Sequence, residues 1–235
     1  FRRRLPPEEL ERWRRDLGLE RSYLLFMSNP RATQSSRKNL DTVIRAYARA
    51  RQLAAFDAPL VCVGERGSSE FKVRQRAAQL GVADHVRLLG FVAQEALPAL
   101  YQNATLFLYP TLYEGFGLPV VEAMASGVAV ITSNTSALNE IAKDYAHTVD
   151  PLDVEGMAQA IAHCMADPEH RNGLAKLGLR RSEAYRWSRA ARKTLDTYVS
   201  AIQSRRAGPH PNAAAAGLDG TGAADLTMHG EGRQP

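Results

Sequence analysis

Two carboxylates, Glu114 and Glu122, lie inside one of the most apolar stretches of the chain, residues 109–127. Burying an ionised group among apolar side chains is costly unless another group pairs with it. Val121 and Ala123 flank Glu122 directly, and a pair of ligand hydroxyls is one partner that could supply such pairing. The alternative is a surface-loop acid together with a first-turn glutamate that only complements the helix dipole.

The residues between the two acids are suited to bring a ligand close to the backbone. Pro119 is expected to begin a helix and Gly127 to end it. Gly115 and Gly117 permit a close approach of the chain, and the free amides at the start of the helix favour oxygen-rich or anionic groups. This arrangement predicts a polar ligand held between a loop carboxylate and a helix carboxylate.

A basic pair, Arg37 and Lys38, follows the first predicted strand at the expected start of the next helix. Cations at a helix start are unfavourable with respect to the helix dipole, so their position requires an explanation. A bound pyrophosphate would provide one, because lysine offers a compact charge and helix amides add donors. The alternative is a solvated pair on the protein surface.

The elements that position these residues follow from hydrophobic periodicity. The predicted strands are residues 23–27, 59–63, 85–89, 105–109, 128–132 and 146–149. Helices are predicted from the apolar face of residues 40–48 and over residues 69–80, 94–102, 119–126, 154–165, 171–186 and 188–204. Alternating strands and helices indicate an α/β fold with a doubly wound, mainly parallel, Rossmann-like sheet. Such sheets bind ligands at the carboxyl ends of their strands, which selects the loops at residues 28–39, 64–69, 90–94, 110–118 and 133–138.

Composition narrows the class of protein. The chain has 235 residues, 45% hydrophobic and 23% charged, as in ordinary globular proteins, and a net charge of +5. No basic stripe interleaved with aromatic residues is present, which argues against nucleic acid as a partner. No run of about eighteen apolar residues occurs, which excludes a membrane-spanning helix. We therefore predict a cytoplasmic protein, and the arginine-rich N-terminal residues leave peripheral contact with the inner membrane face as an alternative.

Metal and thiol chemistry receive little support from the sequence. Cys62 and Cys164 have no paired-cysteine spacing and are expected to be small buried apolar residues. None of the six histidines has a metal-ligand spacing with another, so no metal site is predicted. A dinucleotide oxidoreductase is disfavoured, because no Gly-x-Gly-x-x-Gly sequence joins the first strand to its helix.

Several segments, in order, resemble the retaining glycosyltransferases of family 4, which have the GT-B fold. The segments that carry the resemblance are Arg37-Lys-Asn39, Val61-Cys-Val-Gly64, Val86-Arg-Leu-Leu-Gly-Phe-Val92, Glu114-Gly-Phe-Gly-Leu-Pro119 and Glu122-Ala-Met-Ala125. The similarity extends over residues 23–198. The sequence departs from the family pattern at Ser28-Asn29, where a Gly-Arg pair is common, and at Asn139, where a proline is common.

The resemblance implies the C-terminal, nucleotide-sugar-binding half of such an enzyme and assigns roles to individual residues. Lys38, helped by Arg37 or Arg31, would hold the donor diphosphate. Glu122 would bind the ribose hydroxyls, and Glu114 would contact the transferred sugar near the reacting carbon. The substrate-binding set also includes the loop residues Gly115, Phe116, Gly117 and Leu118 and the strand end Gly90, Phe91 and Val92, the latter beside the base. No metal or other cofactor is expected besides the donor.

The implied function is transfer of a hexose from a nucleotide diphosphate sugar to a saccharide or lipid-linked acceptor with retention of configuration, as in polysaccharide biosynthesis. Residues 1–21 would be a linker and helix from a missing N-terminal Rossmann-like domain, residues 22–204 the donor-binding domain, and residues 205–235 a disordered Ala/Gly-rich tail. The alternative function is a catalytically silent nucleotide-sugar-binding fragment or subunit that lacks the acceptor domain.

Overall fold

A computed structural model describes residue 1 and residues 3–19, 22–28, 35–64 and 68–206 of the chain. These residues fall into two compact units, Phe1–Arg186 and the unit that begins at Trp187. The first unit contains the sheet and is described first.

A six-stranded sheet with every neighbouring pair parallel forms the centre of the first unit. Its strands are β1 (Leu24–Met27), β2 (Leu60–Val63), β3 (Val86–Gly90), β4 (Leu106–Tyr109), β5 (Ala129–Ser133) and β6 (His147–Val149). Their order is β3-β2-β1-β4-β5-β6. The predicted doubly wound parallel sheet is therefore confirmed, and the strand order reverses between β1 and β4, where folds of this type bind their ligands.

The described residues contain ten α-helices, nine in the first unit and α10 in the second. They are α1 (Pro7–Asp16), α2 (Ser35–Lys38), α3 (Leu40–Leu53), α4 (Ser68–Gln79), α5 (Leu97–Asn103), α6 (Leu118–Ser126), α7 (Ser136–Ala142), α8 (Val154–Ala166), α9 (Pro168–Ser182) and α10 (Trp187–Arg206). Side chains of Asp153 and Asp167 accept backbone N–H bonds at the starts of α8 and α9. Gly127 ends α6 in a left-handed conformation, as the sequence predicts.

Alternating strand residues feed a separate apolar core on each face of the sheet. Leu24 and Phe26 of β1 belong to one core, which α3, α4 and α8 cover. Leu25, between them, belongs to the opposite core, which α5, α6 and α7 cover. Because helices cover both faces, the central strands are buried on both sides and read as continuous apolar runs in the sequence.

The predicted strands agree with the structure to within one residue at each end. Two predictions near the ligand-binding edge were wrong. Residues 35–38 were predicted to end a loop, with Arg37 and Lys38 at the start of the helix that follows. They form instead the separate short helix α2, because Asn39 adopts a left-handed conformation (φ 64°) between α2 and α3. The predicted loop over residues 133–138 is likewise interrupted by α7, which begins at Ser136.

The sequence also predicted a linker and helix over residues 1–21 and a tail over residues 205–235. Helix α1, placed by the sequence in a linker, packs against α5 within the first unit. Helix α10, in the second unit, exposes the large apolar side chains of Leu195, Tyr198 and Ile202. The predicted tail begins at residue 205. Its first two residues end α10, and residues 207–235 lie outside the described residues. Among the described helices, none has the length and apolarity needed to cross a membrane.

Candidate functional site

Lys38 and Glu114 form an ion pair at the point where the strand order reverses. Lys38 lies on the connection that follows β1, and Glu114 lies in the loop that follows β4. The Lys38 Nζ to Glu114 Oε1 distance is 2.7 Å, and the two side chains are only 11% and 13% exposed. The sequence predicted both residues for one site, and the structure brings them into direct contact.

Tyr109, the last residue of β4, completes this cluster. Its hydroxyl accepts a hydrogen bond from Lys38 Nζ at 2.5 Å and donates one to Glu114 Oε1 at 3.2 Å. Lys38 Nζ also lies 4.9 Å from the centre of the tyrosine ring. Burial, and next the charge of Glu114, raise the pKa of Tyr109, so the phenol keeps the proton that it donates.

Asn39 fixes Lys38 against the neighbouring loops. Its side-chain amide donates to the carbonyl of Pro110 at 2.9 Å and to that of Pro151 at 2.6 Å. The backbone N–H of Leu112 donates to the carbonyl of Arg37 at 3.0 Å. Lys38 therefore stands at the end of α2 rather than in the first turn of α3, held by contacts to two other loops at the same edge of the sheet.

The loop that carries Glu114 is held at both ends. The backbone N–H of Glu114 donates to Ser136 Oγ at 3.2 Å, and Ser136 itself has a left-handed conformation (φ 54°). Gly117 has φ +95° and lies against Leu138, a combination that leaves no room for a side chain. Between these points Gly115 and Phe116 are exposed, and Leu118, the first residue of α6, is exposed as well.

Glu122 lies on α6, in a different environment from Glu114. The hydroxyl of the fully buried Tyr101 donates to Glu122 Oε2 at 3.1 Å. Burial raises the pKa of Glu122, and the hydrogen bond from Tyr101 offsets part of that shift. The charge of Glu122 also acts on the phenol of Tyr109, which places both acids in electrostatic range of the same hydroxyl.

The other predicted site residues occupy different positions. Gly90 is the last residue of β3, and Phe91 and Val92 follow it. This edge strand is two strands, or about 10 Å, from β1. Phe91 is 69% exposed, whereas Val92 is buried. The Arg37 Nε atom is buried and has no hydrogen-bond partner among the described residues. Arg31 lies outside the described residues.

Sequence reasoning missed four residues that organise the site: Asn39, Tyr101, Tyr109 and Ser136. The two tyrosines sit in apolar segments, where their spacing predicts only core packing. A signal was nonetheless present in the sequence. A buried tyrosine hydroxyl requires a hydrogen-bond partner, and so does a buried carboxylate, so each acid could have been paired with a tyrosine. Neither Asn39 nor Ser136 could be assigned a left-handed conformation from its type alone.

Three histidines that the sequence left unconnected also come together, away from the acids. The rings of His163 and His170 stack with centroids 4.3 Å apart, and His147 lies 6.5 Å from His170. Burial, followed by the charges of the other two, lowers the pKa of His147. Within the described part of the chain, no group of three or more His, Cys, Asp or Glu side chains is arranged to hold a metal ion.

The fold and the site together define a doubly wound α/β domain with a lysine, an acid and a buried phenol at its ligand-binding edge, and with a second acid and phenol paired between α6 and α5. The family profile described as glycosyl transferases group 1 matches residues 10–181. The chain therefore belongs to the glycosyl transferases group 1 family, and its fold is that of the Rossmann-like domains in GT-B glycosyltransferases.

Individual relatives agree with this assignment. O-antigen chain mannosyltransferase B of Escherichia coli is 33% identical over 166 residues, which cover 71% of this chain and 44% of that protein. An MMP alpha-(1->4)-mannosyltransferase of Mycolicibacterium hassiacum is 32% identical over 169 residues, covering 70% and 40%. The chain thus spans less than half the length of these two relatives.

A solved structure is similar over the same region. Sucrose-phosphate synthase from Thermosynechococcus elongatus superposes with a TM-score of 0.70 at 26% sequence identity. The superposition covers 83% of this chain and 49% of that one.

Proposed function

We propose that this domain binds the donor in a transfer of a hexose from a nucleotide diphosphate sugar to a saccharide or lipid-linked acceptor, with retention of anomeric configuration as in family 4. The observation that carries the proposal is the buried Lys38–Glu114 pair at the strand-order reversal of a group 1 glycosyltransferase chain. It combines a cation suited to a diphosphate with an acid suited to sugar hydroxyls.

Each charged group has a role that its surroundings support. Lys38 binds the diphosphate, and Arg37, the residue before it at the end of α2, adds a second positive charge. Glu114 accepts hydrogen bonds from the transferred sugar. Glu122 accepts from the ribose hydroxyls, because its one described partner, the phenol of Tyr101, leaves acceptor positions on the carboxylate open.

Charge development explains why these groups would favour transfer. Breaking the bond between the anomeric carbon and the phosphate oxygen places positive charge on the sugar ring and negative charge on the departing diphosphate. A fixed ammonium at Lys38 stabilises that leaving group more than it stabilises the intact donor. Glu114 is already neutralised by Lys38, so we assign it to positioning the sugar rather than to attacking it.

We further propose that the transferred hexose is mannose. Both the Escherichia coli and the Mycolicibacterium hassiacum relatives are named mannosyltransferases. The acceptor would meet the donor in a cleft completed by a second Rossmann-like domain, since the chain matches less than half of each of these relatives.

Calorimetric titration of the purified chain with GDP, GDP-mannose, UDP and UDP-glucose tests donor binding directly. We expect one diphosphate series to bind about ten- to a hundredfold more tightly than its nucleoside, as charge-assisted contacts to phosphate imply. Absence of saturable binding in both series would overturn the proposal. The anomeric configuration of the glycosidic product, compared by NMR with that of the donor, tests retention separately.

A further inference from the structure

Tyr109 is the residue that joins the two charged groups of the site, and neither the family assignment nor the proposed roles account for it. Its side chain is 1% exposed and lies at the carboxyl end of β4. The ring stacks on Phe107 with centroids 5.6 Å apart and planes 16° apart. The hydroxyl of Thr132 on β5 donates to the backbone carbonyl of Tyr109 at 2.9 Å. The sheet therefore holds this phenol in one position.

The phenol makes the third side of a closed triangle with Lys38 and Glu114. The three heavy-atom distances are 2.5, 2.7 and 3.2 Å. Lysine has no acceptor and can only donate, so the single phenol proton is directed to the Glu114 carboxylate. Both hydrogen bonds of the hydroxyl are thus satisfied by the two groups that the proposed function uses.

A flexible lysine loses side-chain entropy when it is fixed in one conformation. If the lysine is already fixed in the folded chain, this entropy is not lost again when a ligand binds. A rigid phenol that accepts from Lys38 can hold the ammonium in place even when Glu114 turns toward another hydroxyl. An exposed lysine without such a partner would lack this advantage.

From these contacts we infer that Tyr109 is a positioning residue: its phenol holds the ammonium of Lys38 in place, so that the diphosphate meets a fixed cation while Glu114 is free to engage the sugar. The inference rests on the proposed function and adds a residue to it. Because Tyr109 is buried beneath the two charged groups, it acts through them rather than on the donor.

The test is Tyr109→Phe in the chain, titrated with GDP or UDP, whichever the unchanged chain binds, and with the matching nucleoside. We expect diphosphate affinity to fall about tenfold, as for loss of a hydrogen bond to a charged group, with nucleoside affinity unchanged. In a Lys38→Met background the same substitution should have little further effect on diphosphate affinity, because the group through which Tyr109 acts is gone.

A matched control separates positioning from general loss of stability. Tyr23 is equally buried, and its hydroxyl donates to the carbonyl of Leu100 at 2.6 Å, away from the charged cluster. Tyr23→Phe should lower the melting temperature without a selective effect on diphosphate binding. Equal affinity of Tyr109→Phe and the unchanged chain for diphosphate would overturn the inference while leaving the proposed function intact. So would a tenfold loss that persists in full in the Lys38→Met background. Failure of the unchanged chain to bind any diphosphate would remove the proposed function instead.

Discussion

The two candidate acids, Glu114 and Glu122, have different electrostatic surroundings. Glu114 lies 2.7 Å from the ammonium of Lys38 and also accepts from the phenol of Tyr109. Glu122 accepts from the neutral phenol of Tyr101. Burial raises the pKa of Glu122, and the hydrogen bond from Tyr101, followed by the charge of the N-terminal amine, offsets part of that shift. One carboxylate is therefore balanced by a cation before any ligand arrives, whereas the other carries a charge that burial disfavours.

This difference indicates how binding energy would be divided between the two ends of the site. Under the proposed function, a sugar hydroxyl at Glu114 would share the carboxylate with Lys38, so we expect a small gain in affinity and a larger gain in orientation. At Glu122 a pair of ribose hydroxyls would supply donors that the folded chain does not provide in full. We expect Glu122 to contribute to affinity and Glu114 to the geometry of transfer.

Removing the cation should produce the largest effect, because it abolishes the difference between the two acids. Lys38→Met leaves Glu114 buried and unpaired, which should lower the free energy of unfolding by about 3 kcal/mol. Diphosphate affinity should fall about thirtyfold, as expected for a lost charge-assisted contact, while nucleoside affinity stays constant. Urea denaturation and calorimetry measure the two quantities.

The double variant Lys38→Met/Glu114→Gln distinguishes the two consequences. It should recover most of the lost stability, since no unpaired charge remains, but none of the lost diphosphate affinity. Lys176→Met, at an exposed position on α9, serves as the control and should change neither quantity. Equal losses of diphosphate and nucleoside affinity in Lys38→Met would contradict the phosphate role.

A smaller effect is expected from the glycines of the loop between the acids. Gly117 has φ +95°, and a Cβ there would overlap Leu138, whereas a Cβ at Gly115 would meet no atom within 4 Å. Gly117→Ala should therefore destabilise the chain by about 1–3 kcal/mol, and Gly115→Ala by less than about 0.5 kcal/mol. Urea denaturation of both variants provides the comparison. Similar stabilities for the two would show that the backbone at Gly117 is not constrained.

The strands and the pairing of Lys38 with the Glu114 loop were predictable, because buried parallel strands read as apolar runs and their carboxyl ends meet at one edge. The partners of the charged groups were not predictable. Tyr109 and Tyr101 have the sequence pattern of core residues, and only three-dimensional packing decides which way a phenol points. Asn39 and Ser136 take left-handed conformations that tertiary contacts impose. For this reason α2 and the start of α7 were not predicted.

The last comparison concerns how ionisation of Glu122 changes the stability of the chain with pH. Because the folded-state pKa of Glu122 is raised above its ordinary value of 4.5, the folded chain binds a proton that the unfolded chain has lost. Its contribution to stability is therefore favourable at low pH and declines as pH rises from about 4 toward neutrality. Glu122→Gln removes this decline, so the difference in melting temperature between variant and unchanged chain should grow in favour of the variant over that range.

Binding should move in the opposite direction, because the ribose hydroxyls need the ionised carboxylate as acceptor. Glu122→Gln should weaken a ribonucleoside diphosphate about tenfold but leave its 2′,3′-dideoxy analogue unchanged. In the unchanged chain the preference for the ribonucleotide should fall as the solution is acidified, beginning at a higher pH than for an ordinary glutamate. Calorimetry with both nucleotides from about pH 4 to about pH 7, a range that begins near the ordinary glutamate pKa, measures this preference. If the preference were independent of pH and of the substitution, Glu122 would be a structural acid that Tyr101 alone accommodates, and the division of roles between the two carboxylates would not hold.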